Sequence, residues 1–299
     1  MKFVDLVDLY KRYENGENIS KYLKENHSDI LNQDEIIHLS YDLQSGSYIE
    51  QYPKKEGTIK HIATVFGDII NSQFSLSRSV LDCGCGEFST TLDIFSKLSY
   101  IDNYQVFDIS LSRLLAGYKF CKDNSHLHSC SSINAFVSRL DQIPYGNNSI
   151  DILITSHVIE PNLGMEKKII SEMLRVARHG VILHEPDFEN ASIEQKKRMD
   201  NFGYARDIRK YIKELGYDFD VVNIDQHYNP KNKASFTVIK KPDNNLDNRI
   251  EYVDPISKSR LIKKNGFLLS ELRGVMFPVY DGIPILVESN AILASWLIK

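Results

Sequence analysis

From Ser79 to Lys240, short apolar runs alternate with amphipathic stretches, and this rhythm narrows the possible folds more than any other feature. Ser79-Val80-Leu81-Asp82, Tyr104-Gln105-Val106-Phe107-Asp108, Ala135-Phe136-Val137, and the runs at 150–155 and 180–184 read as buried strands. Between the last two, Met165, Ile169, Ile170, Met173, Leu174 and Val176 fall on one face of a helix. Alternation of this kind implies βαβ units, because parallel strands need a crossover that returns to the same end of the sheet. The pattern then changes. A helix around 205–215, ended by Gly216, is followed by two strands near 219–224 and 235–240, with Tyr228-Asn229-Pro230 as the turn between them. The expected fold class is α/β, a doubly wound, mostly parallel sheet closed by an antiparallel hairpin.

The flanks differ from this core. Residues 1–75 read as a helical cap, with Phe3, Leu6, Val7 and Tyr10, and later Ile59, Ile62, Ala63 and Phe66, at helical spacing. The stretch from Ser40 to Tyr48 is too rich in Gly and Ser for the middle of a helix and too rich in Tyr for a loose linker. Residues 76–243 form the α/β domain, the polar run Pro242-Asp243-Asn244-Asn245-Leu246-Asp247-Asn248 is the boundary, and 250–299 read as a small β-rich module with an Asp281-Gly282 turn.

Composition excludes several classes. No apolar stretch approaches the ~20 residues of a bilayer span, and acids interrupt the apolar residues at the N-terminus, against a signal peptide. The formal charge of −4 gives no global basic field for a polyanion. The four cysteines, Cys83, Cys85, Cys121 and Cys130, form no C-x-x-C pair, so neither a disulfide framework nor a zinc spacing is expected, and a reducing, cytoplasmic compartment follows.

The chemistry concentrates where strands end. Asp82 closes the first strand, and Gly84 and Gly86 follow in a turn that lets backbone approach a ligand; Ser89 is placed to cap the next helix. A dinucleotide fingerprint would have Gly where Ser89 stands, so this is a poor pyrophosphate loop. Asp82 would repel a phosphate and attract an ammonium. Asp108 ends the second strand 22 residues after Gly86, where a carboxylate can accept from both hydroxyls of a ribose.

On these residues the chain resembles the Rossmann-like, class I S-adenosylmethionine-dependent methyltransferases. The resemblance covers 79–240 and rests on Val80-Leu81-Asp82-Cys83-Gly84-Cys85-Gly86, Val106-Phe107-Asp108-Ile109-Ser110, the run from Ile143 to Asp151, Ser156-His157-Val158-Ile159-Glu160 and Leu174-Arg175-Val176-Ala177-Arg178-His179-Gly180. It implies S-adenosyl-L-methionine as cofactor. Asp82 and the loop of Gly84, Cys85 and Gly86 would hold its amino-acid head and Asp108 its ribose. Ile109, Leu140 and Phe107 would flank the adenine, Asp141 would meet the adenine amino group, and Ser156 would line the site. Tyr41, Gln44 and Tyr48 would close over it from the cap. The chain departs from the family at Phe88, where a third glycine is usual and where a ring-covered loop is expected. It departs again at Arg139, where an acid often stands, and at Glu160-Pro161, where Glu-His is frequent.

Candidate catalytic groups are those at the ends of the fourth and fifth strands. His184 and Glu185 are favoured for the substrate pocket over His157, and Tyr204 is a further candidate from the next helix. The C-terminal module resembles the small zinc-ribbon proteins that activate methyltransferases, on Asp254-Pro255-Ile256-Ser257, Gly266-Phe267-Leu268 and the run from Phe277 to Leu286. Asp254 and Ser257 stand at its two cysteine positions, so a metal-free version held by its apolar core is expected. The expected function is methyl transfer to N or O of an anionic small molecule or saccharide, such as a nucleotide sugar or surface-glycan precursor. Two alternatives stay open: an RNA methyltransferase, suggested by Lys196, Lys197, Arg198, Arg206, Arg209, Lys210 and Lys213 and by Lys258, Arg260, Lys263 and Lys264, and a non-catalytic cofactor-binding scaffold.

Overall fold

A computed structural model describes residues 4–224, 231–242 and 250–298. Four helices come first: α1 (Leu6–Glu14), α2 (Ile19–Asn26), α3 (Gln33–Leu43) and the long α4 (Ser47–Gln73). Asn32 and Glu35 close a reciprocal capping box at the start of α3. Gly46, at φ 97°, breaks the chain between α3 and α4, in the segment whose composition opposed a continuous helix.

The α/β part follows as β1 (Ser79–Cys83), α5 (Thr91–Phe95), β2 (Asn103–Asp108), α6 (Leu111–Asp123), β3 (Ile133–Val137), β4 (Ile150–Ser156), α7 (Glu166–Val176), β5 (Ala177–Pro186), α8 (Ile193–Phe202), α9 (Ile208–Glu214), β6 (Asp220–Asn223) and β7 (Ala234–Lys240). The sheet order is β3-β2-β1-β4-β5-β7-β6, parallel except for β7. Every residue of β1 is buried, as both faces of a central parallel strand must be. β7 runs antiparallel between β5 and β6, in register from Gly180 opposite Lys240 to Pro186 opposite Ala234. The order reverses between β1 and β4, and there the crevice that takes ligands in open α/β sheets opens.

Two expectations need correction here. Ser89 caps no helix: α5 starts at Thr91 with Thr90 at its N-cap, and Ser89 is buried one residue earlier. Cys121 and Cys130 are disulfide-paired with Cα atoms 5.8 Å apart, because the end of α6 and a 3-10 turn at Cys130–Ser132 bring them together. The inference of a reducing compartment therefore loses its premise. Among the described residues no helix is long and apolar enough to cross a membrane. The turn at 228–230 and most of the boundary run at 242–248 lie outside the described residues.

A second, antiparallel sheet comprises β8 (Ile262–Lys264), β9 (Phe267–Ser270), β10 (Val275–Tyr280) and β11 (Ile283–Pro284), with β12 (Ile292–Leu293) on β10. Asp281 and Gly282 both take positive φ between β10 and β11, the two-residue turn that matches strand twist. This sheet is joined to the edge strand β3 by the Val137–Ile285 bridge and the Leu286 N–H donating to Val137 O at 2.8 Å. Tyr252 stacks on Tyr145 at 5.3 Å, and Phe136, Tyr145, Leu268 and Phe277 belong to one apolar cluster that crosses from one sheet to the other.

Candidate active site

At the carboxyl ends of β1, β2 and β4 lies a cavity of about 1150 Å³, counting its open mouth. Its lining brings together Asp82, Gly84, Cys85 and Gly86 from the first turn, Asp108 and Ile109 from the second, Leu140 and Asp141 from the third, Ser156 and His157 from the fourth, and Tyr41 and Tyr48 from the N-terminal helices. Residues separated by more than a hundred positions in sequence thus share one wall.

The glycines of the first turn serve the loop before they serve any ligand. A Cβ on Gly84 would sit 1.9 Å from Val158, and one on Gly86 would sit 2.5 Å from the guanidinium of Arg113. Both have positive φ, and the Gly84 and Cys85 amides donate to Phe107 O at 2.8 and 3.0 Å. Phe88 also takes positive φ, the conformation the missing glycine would have adopted. Its ring does not cover the loop, however. It is fully buried against Gly117 and edge-on to Tyr118, on the helix side of the sheet, because the α5–α6 surface leaves an apolar socket there.

Asp82 accepts a hydrogen bond from the Thr91 hydroxyl at 2.6 Å, and burial, with a contribution from Asp108, pushes its carboxyl up to about 7. Asp108 accepts from the Gly86 amide at 2.9 Å and from the Ser110 amide at 3.0 Å, which fixes the loop and the start of α6 through one carboxylate. Above them Arg113 lies 3.8 Å from Asp108 and 3.6 Å from Glu87, under the rings of Tyr41 and Tyr48 at 5.3 and 4.7 Å. Glu87 Oε2 accepts from the Ile49 amide of α4, whereas the buried Glu87 Oε1 and Arg113 Nε have no hydrogen-bond partner. Asp42 accepts from the Ser110 and Ser112 hydroxyls at 2.5 and 3.1 Å and docks the cap onto α6. Arg113 and Glu87 escaped the sequence reading. Their signal was positional: an acid directly after the second glycine and an arginine three residues into the helix after Asp108.

Gln44 lies outside the lining. Its amide donates to Ser40 O at 2.9 Å, holding the end of α3. Asp141 lines the cavity already clamped, by Arg139 at 2.9 and 3.2 Å and by Lys168 at 2.7 Å, while Arg139 also pairs with Asp34 of α3. Burial alone would raise the Asp141 pKa, but these partners bring it below the usual value.

The four catalytic candidates separate cleanly. His157 lines the cavity in a left-handed conformation (φ 57°), with Nδ1 3.0 Å from Glu160 Oε2. Burial opposes its protonation, yet the hydrogen bond and charge of Glu160, with the charge of Glu185, raise its pKa. His184 and Glu185 do not reach this cavity. His184 is 1% exposed, stacks on Phe236 at 4.6 Å, and bonds the Ser156 hydroxyl at 3.0 Å. Burial and the neighbouring His157 push its pKa down. Glu185 accepts from the Val158 and Ile159 amides at 3.1 and 3.2 Å, and burial, chiefly, pushes it up to about 7. Phe236 of β7 and Phe66 of α4 pack on the His184 ring, which is why this strand end is closed. Tyr204 is likewise outside the lining. It follows the left-handed Gly203 that ends α8, and its amide donates to Met199 O.

Much of the basic charge that suggested RNA is already neutralised. Arg206 pairs with Asp200, Arg209 with Asp187, Lys213 with Asp218, Lys258 with Glu172 and Arg260 with Glu251.

No protein-family model matches the chain, and no curated protein matches it in sequence. Solved structures do. The magnesium protoporphyrin IX methyltransferase of Synechocystis PCC 6803 with bound S-adenosylhomocysteine superposes with a TM-score of 0.53 at 14% identity, over 71% of this chain and 100% of that one. The same enzyme with bound S-adenosylmethionine gives a TM-score of 0.52 at 15% identity, over 71% and 98%. Geranyl diphosphate C-methyltransferase of Streptomyces coelicolor A3(2) aligns over 55% of this chain and 73% of that one, with a TM-score of 0.43 and 9% identity. The α/β core thus has the fold of the Synechocystis methyltransferase.

Proposed function

We propose that this chain is an S-adenosylmethionine-dependent methyltransferase acting on an N or O nucleophile of a small molecule, with a nucleotide sugar or related anionic saccharide as the acceptor class to test first. The observation that carries the reading is the convergence of Asp82, Asp108 and the Gly84–Gly86 turn with His157 in one cavity. The donor and acceptor chemistry fits the cofactor. A carboxylate offers about four acceptor positions. Asp108 uses one for the Gly86 amide and one for the Ser110 amide, so a ribose diol can still be held. Asp82, with Thr91 as its one hydrogen-bonded side-chain partner, suits the ammonium of the amino-acid head. Arg113, already 3.6 Å from Glu87 and 3.8 Å from Asp108, would add positive charge beside the cofactor's carboxylate. Ile109, Leu140 and Phe107 would flank the adenine, with Asp141 and Ser156 beside it. Cys85 would contribute backbone, and Tyr41 and Tyr48 would cover the site.

The bound cofactor would supply a methyl group on a sulfonium, transferable by in-line displacement. The protein's own contribution is alignment, exclusion of water by the tyrosine cover, and proton removal from the nucleophile. His157 is the candidate base, in place of His184 and Glu185. Glu160 occupies Nδ1, which leaves Nε2 as the proton-accepting atom, and the same contact holds the ring and raises its basicity. Isothermal titration with S-adenosylmethionine and S-adenosylhomocysteine, then transfer of labelled methyl to nucleotide-sugar and nonulosonate acceptors, tests the reading. Absence of cofactor binding overturns it, and transfer to RNA alone overturns the acceptor class.

The reading of residues 250–298 as a metal-free relative of a zinc ribbon has support at Asp254. This buried carboxylate accepts from the Ile256 and Ser257 amides at 2.8 and 2.9 Å, and Arg273 bridges it to Glu288. A guanidinium there supplies positive charge, so the module is held by an ionic knot as well as by its apolar core.

A further inference from the structure

A second cavity, about 1430 Å³ counting its open mouth, lies where β3 meets the C-terminal sheet, and it shares no lining residue with the first. β3 meets the chain just after β11 at the Val137–Ile285 bridge, and the cavity is lined by the residues preceding that contact on both sides, Ile133 to Ala135 of β3 and Asp281 to Pro284 of the turn and β11. Apolar side chains come from α6, β3 and three strands of the C-terminal sheet, among them Leu115, Ile133, Leu268 and Val279, with the rings of Tyr118 and Tyr252. Polar charge in the lining is one-sided. Lys119 and Lys122 on α6 and Lys263 on β8 stand against the single acid Asp281, a net of three minus one, or +2, in a chain of net charge −4. Some lysines elsewhere on the surface are paired, as Lys167 is with Glu214 and Lys213 with Asp218. Among the described residues none of these three makes an ion pair.

An apolar lining with a few cations of one sign selects for a ligand with both features. We propose that this cleft is a binding site for an organic anion with an apolar body, a carboxylate or phosphate monoester joined to an aliphatic or aromatic group. The apolar body would cover the half-buried Leu115 and Val279, and the anion would lie among the three exposed ammonium groups, whose attraction salt would screen. The site is independent of methyl transfer and of the proposed cofactor, so the two readings stand or fall separately.

Calorimetric titration of the full chain with octanoate and with octyl phosphate tests this, using 1-octanol as the uncharged analogue. Saturable one-to-one binding of the two anions is expected, weaker at high salt, with octanol at least roughly tenfold weaker. Lys119→Glu with Lys122→Glu, both at exposed helix positions, should weaken octanoate binding by roughly tenfold. Leu115→Trp should block it by filling the lining. If that variant misfolds by circular dichroism, the lysine reversals carry the test alone. Equal affinity for octanol, no saturable binding of either anion, or undiminished binding after the lysine reversals would overturn the proposal. Retention only on phosphatidylglycerol vesicles, without binding of the free anions, would overturn it too.

Discussion

β4 and β5 lie side by side in the sheet, and the same kind of chemistry sits at both carboxyl ends: His157 with Glu160 after one, His184 with Glu185 on the other. Their surroundings make them opposites. His157 lines a cavity and is made more basic by Glu160, whereas His184 lies between Phe236 and Phe66 with its basicity suppressed. Glu160 orients a ring; Glu185 instead holds the backbone of the loop that carries His157. A residue at the end of a parallel strand becomes available for chemistry only if the neighbouring elements leave that end open. Phe236 and Phe66 close over His184 on β5, whereas the chain leaving β4, held by His184 O and Glu185, turns the His157 side chain into the cavity.

The sharpest way to break this contrast is to exchange the two histidines' consequences. His157→Asn, chosen because Asn tolerates a left-handed backbone, should lower methyl transfer by ~10²–10⁴-fold, the usual contribution of a general base. Its melting temperature should stay close to that of the parent. The parent's kcat/KM should fall with acidity along a limb centred above 6.5, the ordinary histidine value, since Glu160 raises His157. Full activity in His157→Asn would remove the histidine from the mechanism.

Glu185→Ala should act on the fold first. The buried amide of Ile159 and the half-buried amide of Val158 would lose their acceptor, a loss of about 2–4 kcal/mol in chemical denaturation. A variant as stable as the parent would show that the strand end is not the closed support described above.

The pH dependence of stability gives a finer measure. Glu185 is pushed from 4.5 to about 7 by burial, so the folded state binds its proton more tightly than the unfolded chain. That contribution is fully present below pH 4.5 and is lost as pH rises to about 7. Glu185→Gln, which is neutral throughout, should flatten the slope of melting temperature over that window. Asp82, also pushed up to about 7, should keep its own share of the slope in this variant. An unchanged slope would contradict the burial of Glu185 as a charged group.

The smallest effect contrasts two residues of the cap. Tyr48→Ala should weaken S-adenosylhomocysteine binding several-fold, about 1 kcal/mol, through loss of the ring over Arg113. Gln44→Ala should leave that affinity unchanged, because Gln44 bonds only its own helix end. Equal losses in the two variants would mean that the cap acts as one unit.

Much of this site was legible in the sequence, for identifiable reasons. Asp82, Gly84, Gly86, Asp108 and Ile109 belong to strand–turn–helix junctions, and such junctions put backbone and carboxylates at one edge of a parallel sheet whatever surrounds them. The antiparallel closing strand was legible too, since two apolar runs followed each other without a helix between them. Phe88 was half legible: the turn needed a left-handed residue there, but whether its ring faced ligand or core depended on Gly117 and Tyr118, nearly thirty residues away. Gln44 and Tyr204 looked suited to a pocket because polar and aromatic side chains suit many pockets. The Gln44 side chain holds its own helix end, and the Tyr204 ring, though outside the lining, stands beside Glu160 and the Tyr41 and Tyr48 cover.

The periodicity of apolar residues and the spacing of Gly and Asp therefore determined, unaided, the α/β class and the edge of the sheet where ligands would meet it, because both follow from local backbone geometry. Which histidine is available, which carboxylates are pushed toward neutrality, and how Cys121 finds Cys130 were decided by the tertiary structure alone. Burial, access and pairing depend on what the rest of the chain places alongside, and a one-dimensional pattern does not carry that information.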